Sequence, residues 1–277
     1  MMKILTDFSA SALIAANKAN LFGYFEYIGT SSASNVEVHN SAEIKWILTG
    51  LSYAFLNNVL HTHFEAEQAG KRIEETLTHF GSRNVRYATW WAEPDARPTT
   101  LGDELTAKGL TYSRGMPGMA ADLQTLKEDL PKPAGLTIET VRDEATLKKW
   151  VQPGLIGFGD TEVREGDICF DLFTGLGFGL PLRLYLASLN GKPVAASQLF
   201  LGAGVAGLYW VATVSEARKQ GIGAAISLAP LLDAREMGYR IGILQASPMG
   251  EPIYRRLGFR EYGYLSNYMW MNNDEQG

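Results

Sequence analysis

VATVSEARKQGIGAAI, residues 211–226, reads as an apolar strand, a short turn holding Arg218, Gly221 and Gly223, and the start of a helix. Successive backbone N–H groups in such a turn converge on an anion. The helix N-terminus adds partial positive charge at the same point. Glycine removes the Cβ that holds a phosphate away. Arg218 and Lys219 add full charge. The corner is therefore expected to cradle a phosphate or pyrophosphate. It is neither of two common nucleotide loops. A Rossmann fingerprint asks for a third glycine where this chain has Ile226, and a Walker loop asks for Gly-Lys-Ser/Thr, which is missing.

The flanking sequence has a definite order. In RLYLASLNGKPVAASQLFLGAGVAGLYWVATV, Asn190-Gly191 is a hairpin signal and Gly202–Gly204 marks a second turn. Three antiparallel strands are expected over 182–214. After Gly221, the residues Ile222, Ile226, Ala229 and Leu232 share one side of a helix. Pro230 is expected to kink or split it, and Gly238 to stop it. YRIGILQA (239–246) reads as a buried strand. A short helix opens at Ser247-Pro248 or Glu251-Pro252 and ends at Gly258, and FREYGYLSNYMWM closes the sheet. Upstream, LTIETV (136–141) alternates as a strand, and a helix from Asp143 runs up to Pro153. A short helix and loop are expected over 160–180.

Arg-x-x-Gly-x-Gly after an antiparallel meander, followed downstream by IYRRLGF (253–259), resembles the GNAT acyl-CoA acyltransferase superfamily, whose phosphate loop reads Arg/Gln-x-x-Gly-x-Gly/Ala. The strict resemblance covers about 136–270. It implies an α/β (α+β) GNAT fold, a mixed, mostly antiparallel sheet flanked by helices. It implies acetyl-CoA or another acyl-CoA as co-substrate. Val211, Ala212, Thr213 and Val214 then edge the pantetheine arm, and Arg218 with the amides of Lys219, Gln220, Gly221, Ile222, Gly223 and Ala224 holds the pyrophosphate. The thioester falls near Gln245 and Ala246. Tyr254 occupies the family's acid position, where it can protonate the departing thiolate. Ser247 stands where the family often has Asn, which puts that cofactor contact in question. Strand amides are suited to the oxyanion. Three carboxylates compete as the base: Asp160, Glu162 and Glu216.

The first half lacks the glycine corner. It contains a strand or strand pair in GLSYAFLNNVLHTHF, a helix in AEQAGKRIEETLTHFG with Gly81 at its end, and a strand in VRYATWWA. A helix stopped by Gly109 then runs into a strand continuing to Leu123. LGDELTAKGL (101–110) is similar to MGEPIYRRLGF (249–259), with Leu105 where Tyr254 stands. This order points to a diverged internal repeat, two tandem GNAT-like halves. The linker-like LKEDLPKPAGL (126–136) divides them into 1–130, a degenerate half walling the acceptor pocket, and 136–277, the catalytic half. Deleting 1–130 is expected to harm acceptor use while sparing the cradle.

Composition narrows the function. The 277 residues carry a net charge of −5, which disfavours nucleic acid as a partner. One cysteine, Cys169, allows no internal disulfide and reads as a small buried hydrophobe. His61 and His63 lack a third ligand, so no metal is expected. The N-terminus lacks a signal-peptide layout and no run reaches a membrane span, so a cytoplasmic location is expected, with no membrane partner. The implied activity is N-acetyl transfer to a primary amine of a small-molecule or amino-acid-like acceptor, by a monomer or homodimer. The alternative is a non-catalytic acyl-CoA sensor or partner module.

Overall fold

The computed structural model describes residues 3–92, 95–159 and 163–272. The chain forms two compact units, Met1–Tyr24 with Met116–Tyr264, and Phe25–Gly115 with Leu265–Gly277.

The larger unit begins with most of α1 (Ala10–Ile28) and continues from β6 (Pro117–Asp122) onward. Between these lie five strands and two helices of the smaller unit: β1 (Glu37–Asn40), β2 (Ile44–Leu48), β3 (Asn58–Thr62), α2 (Ala69–Ser82), β4 (Tyr87–Trp90), α3 (Leu101–Ala107) and β5 (Thr111–Ser113). After β6 come β7 (Leu136–Thr140), α4 (Glu144–Phe158), α5 (Val163–Leu176), β8 (Leu182–Leu189), β9 (Lys192–Gly202) and β10 (Val205–Thr213). Then follow α6 (Ile222–Glu236), β11 (Ile241–Gln245), α7 (Glu251–Leu257), β12 (Arg260–Tyr264) and β13 (Asn267–Met271).

The larger unit holds a seven-stranded sheet in the order β12-β6-β11-β10-β9-β8-β7. All its pairs are antiparallel except β10 with β11. The three-stranded meander over 182–214 is present as expected. On one face, α6 packs Ile222, Ile226 and Leu231 into a core with Leu199, Leu208 and Leu244. On the other face lie α4 and the start of α1. The smaller unit holds a six-stranded sheet, β1-β2-β3-β4-β13-β5, over a core that includes Ile73, Phe80, Trp90 and Leu105.

Several expectations need correction. The seam does not fall at 126–136. β6, from the first half of the sequence, lies between β11 and β12 in the larger unit, and β13, from the second half, lies between β4 and β5 in the smaller. The strand expected to run to Leu123 is therefore two strands in two sheets, and FREYGYLSNYMWM is likewise divided. Alternation shows that a segment is a strand, but not which sheet it joins. Both helical prolines are tolerated: α4 continues past Pro153 to Phe158, where Gly159 ends it at φ +92°, and α6 is continuous through Pro230. Both prolines are buried, so packing outweighs the lost backbone bond. Residues 163–176 form a full helix, and α2 runs one residue beyond Gly81. No helix was expected in the N-terminal segment, where α1 forms.

Candidate functional site

The site is built where β10 leaves β11. The two pair in parallel only at Ala206 with Gly242 and Gly207 with Ile243. Beyond that point β10 stays paired with β9, through Ala212–Ala196 and Thr213–Ala195, while β11 stays paired with β6 through Gln245 and Gly118. The two strands have thus parted along Val211–Thr213. A bulge between Tyr209 and Ala212 bends β10, with Trp210 at φ +52°. Trp210 then stacks on Trp150 and meets Phe158 and Phe173 edge-on.

Tight packing of α4 underlies this arrangement. A Cβ on Gly154 would lie 2.6 Å from Trp210 Nε1, and one on Gly157 would lie 2.7 Å from Ala212 Cβ and 3.0 Å from Thr213 N. The two glycines let α4 lie directly on the bulged strand. Arg218 fastens the same contact. Its Nε donates to Thr213 O at 3.0 Å, and its Nη2 donates to Gly157 O at 2.9 Å. The guanidinium points back onto the end of α4, where the helix dipole favours a cation. Its side chain is thus engaged with carbonyls.

The corner has the anticipated backbone. Lys219 is at φ +60° and Gly221, the residue before α6, at φ +85°. No side chain caps the helix, so the first-turn amides of Ile222, Gly223 and Ala224 have no capping partner. Gly221 has a second reason to be glycine: a Cβ there would lie 2.0 Å from Pro131 O. The linker-like segment is a strap packed on the corner. A Cβ on Gly223 would meet Ile253 Cδ1 at 3.3 Å and Thr213 Oγ1 at 3.7 Å, so that glycine brings α6 close to α7.

Tyr254 lies behind this corner. It is 8% exposed, edge-on to Phe259, and its hydroxyl meets Ser227. Ser227 Oγ donates to Gly223 O at 2.7 Å, which ties the phenol to the first turn of α6. Burial pushes the Tyr254 pKa up to about 12, partly offset by Ser227. The group is therefore protonated throughout the neutral range, as a proton donor must be. Ser247 serves its own turn, with Oγ accepting from Gly250 N at 3.1 Å. Among the candidate bases, Glu216 is exposed and paired with Lys192 at 3.4 Å. A backbone hydrogen bond first, then Lys192 and Ser215, hold its carboxyl below the usual range. Asp160 and Glu162 lie outside the described residues. Among the described residues no group of three metal-ligating side chains occurs.

The sequence reading overlooked a polar stripe on α1. Asn17, Asn20 and Tyr24 follow helical spacing on one face of an otherwise apolar segment. Asn17 Nδ2 donates to Met119 O at 3.2 Å and Leu244 O at 3.3 Å, and its Oδ1 accepts from Gln245 Nε2 at 2.7 Å. Tyr209 donates to Asn20 Oδ1 and Tyr24 donates to Gln198 Oε1, both at 2.7 Å. Two amides and a phenol spaced along an apolar helix were the signal available. A further carboxylate, Glu165, is 1% exposed one turn before Cys169. Burial, then Glu165, pushes the Cys169 thiol up, so the cysteine is inert.

In the smaller unit the corresponding gap is closed. β3 pairs with β4 at Asn58–Thr89 and Val59–Trp90. The chain then returns to β3: His63 bridges Arg97 in parallel, and Arg97 N donates to Thr62 O at 2.9 Å. The Trp90 indole also donates to Thr62 Oγ1 at 2.9 Å.

No family profile and no curated protein matches the sequence. Solved structures do. A GCN5-related N-acetyltransferase from Kribbella flavida superposes with a TM-score of 0.63 at 19% identity, covering 96% of this chain and 97% of the other. The fold is that of the GNAT N-acetyltransferases. A tandem GNAT protein from the clavulanic acid biosynthesis pathway aligns over 98% of each chain, with a TM-score of 0.53 and 13% identity. A GCN5-related N-acetyltransferase-like protein from Streptococcus suis aligns over 94% of this chain and 99% of its own, with a TM-score of 0.52 and 14% identity. The GNAT fold thus extends over nearly the whole chain, and the parted strands belong to its larger unit. No helix among the described residues is long and apolar enough to cross a membrane.

Proposed function

We infer that the chain is an N-acyltransferase that takes an acetyl group from acetyl-CoA and gives it to a primary amine of a small-molecule or amino-acid-like acceptor. One observation carries this reading. β10 and β11 part beside an uncapped, glycine-bearing helix start, with a buried, protonated tyrosine tied to that helix. In this reading the pantetheine arm lies along Val211, Ala212, Thr213 and Val214. The pyrophosphate meets the amides from Lys219 to Ala224. Arg218 acts through the carbonyls it holds. The neutral amine attacks the thioester carbonyl carbon, the C–S bond breaks as the amide forms, the CoA thiolate takes its proton from Tyr254, and the proton lost by the amine nitrogen passes to solvent, from which the tyrosine is reprotonated. The smaller unit, its gap closed by Arg97 and Trp90, takes no cofactor. The protein works in the cytoplasm as a monomer or homodimer.

Calorimetry with acetyl-CoA and CoA tests the cradle, with Gly221→Trp as the blocked control. Micromolar binding to the native chain and none to the variant supports the reading. Absence of binding to either protein overturns it. The engagement of Glu216 by Lys192 favours one rival, a non-catalytic acyl-CoA sensor. Release of free thiol from acetyl-CoA across an amine panel separates the two.

A further inference from the structure

β7 is an outer strand of the larger sheet, and α6 lies across the face beside it. Two cavities adjoin between them. The first, of about 480 Å³, is polar: Thr140 and Arg142 come from the end of β7, Tyr185 from β8 and Asp233 from α6. The second, of about 350 Å³, is apolar: Leu130 of the strap and Leu136 of β7 stand across from Ala225, Leu228 and Leu232 of α6. Ile138 and Ala229 line both cavities, which meet at that pair. Positions 225, 228, 229 and 232 recur at helical spacing, so one stripe of α6 serves both. The aliphatic walls do not close on one another. Leu130, Leu136, Ile138 and Leu232 pack against the core but stay only partly buried.

Charge decides what the polar end can hold. Asp233 is already engaged: its Oδ2 accepts from the Tyr185 hydroxyl at 2.7 Å and from Arg183 Nη1 at 3.2 Å. Glu139 stands between Ile138 and Thr140 on β7, so alternation turns its side chain to the opposite face. Arg142 is different. Its Nε donates to Thr140 Oγ1 at 2.9 Å, and its two terminal nitrogens have no partner among the described residues. That end of a guanidinium matches a carboxylate with two parallel N–H bonds. Arg142 is also exposed, so a ligand reaches it from solvent. At the apolar cavity, Glu128 is paired with Arg235 at 2.6 Å, while Lys132 makes no ion pair among the described residues. Both unpaired charges are thus cationic. A cation beside open aliphatic walls suits an anion with an apolar body.

We propose that the two cavities form one binding site for a small carboxylate with an apolar tail. Arg142 takes the carboxylate, and the tail passes Ile138 and Ala229 onto the leucines of the second cavity. The site lies at the β7 edge, away from the parting of β10 and β11. It goes beyond the acyltransferase reading and does not rest on it.

The test uses the full chain and calorimetry, with hexanoate, octanoate and phenylpropanoate as probes. Acetate, hexanol and hexylamine serve as controls. At least one probe is expected to bind with a Kd of about a millimolar or below, a strength within reach of so few atoms. Acetate lacks the tail and hexanol the charge, so each is expected to bind at least about tenfold more weakly, as is hexylamine. Arg142→Gln is expected to weaken the carboxylate by about tenfold and to leave hexanol as it was. Ala229→Phe fills the junction of the cavities and is expected to remove the advantage of the tail. Should Ala229→Phe fail to fold, Arg142→Gln, at an exposed position, carries the test. Binding by none of the three probes overturns the proposal. So does hexylamine bound as tightly as hexanoate, or an unchanged Kd in Arg142→Gln. Displacement of the bound carboxylate by CoA assigns the cavities to the cofactor and overturns it too. None of these readouts involves acetyl transfer, so their failure leaves the acyltransferase reading standing.

Discussion

Tyr254 is the residue on which the proposed chemistry turns. Its folded pKa of about 12 lies above the ordinary tyrosine value of 10. A group shifted in this direction contributes its stability fully below pH 10 and loses it as pH rises through 12. In activity, deprotonation of Tyr254 therefore produces no fall in kcat/KM between pH 7 and 10. Tyr254→Phe is expected to lower kcat roughly a hundredfold across that whole range, with CoA affinity retained. A pH–rate profile of both proteins checks this. An alkaline limb near pH 10 that disappears in the variant contradicts the buried position. The residue scale was also where the sequence was most informative. Arg218, Gly221, Gly223 and Tyr254 sit on adjoining elements, as their spacing indicated. The sequence did not show that Arg218 turns inward, because the carbonyls it meets belong to residues 157 and 213.

Among the elements, α4 and β10 form the most demanding contact. Gly157→Val places atoms where Ala212 Cβ and Thr213 N already lie, and main chain on that side cannot rotate away. The expected cost is about 1–3 kcal/mol, the range for overpacking a filled core, read as a lowered Tm. CoA affinity should fall with it, because the displaced strand is the pantetheine edge of the proposed site. A Tm unchanged by the substitution means that α4 can slide, and that the glycines serve something else. QPGLIGFG shows how far a sequence can be read here. Its Pro and Gly residues read as a helix stop, because propensity treats them as breakers. The structure uses them for close approach, a tertiary demand that only the neighbouring strand reveals. The same holds for α1, whose Asn17, Asn20 and Tyr24 satisfy partners more than a hundred residues away.

At the scale of the molecule, the exchange of β6 and β13 decides what a fragment can do. Residues 131–277 lack β6, which supplies the pairing between β11 and β12. Expressed alone, this fragment is expected to be unfolded by circular dichroism and to show no cooperative melt. A folded fragment that binds CoA contradicts the topology. The earlier expectation that removing 1–130 spares the cradle is therefore withdrawn. Strand exchange was illegible because both strands are short alternating segments that suit either sheet, and chain order favoured the wrong one.

That exchange also has a consequence for how the protein is made. The strand that joins β4 to β5 is Asn267–Met271, which leaves the ribosome long after both of its neighbours. Until it emerges, the earlier-made sheet carries two raw edges, each a template for pairing with a neighbouring chain. Synthesis at the usual pace of tens of residues every few seconds leaves those edges bare for much of the time the chain is growing. The nascent protein is thus vulnerable until β13 has been made, and a ribosome stalled near codon 265 would present a polypeptide with one of its sheets still open.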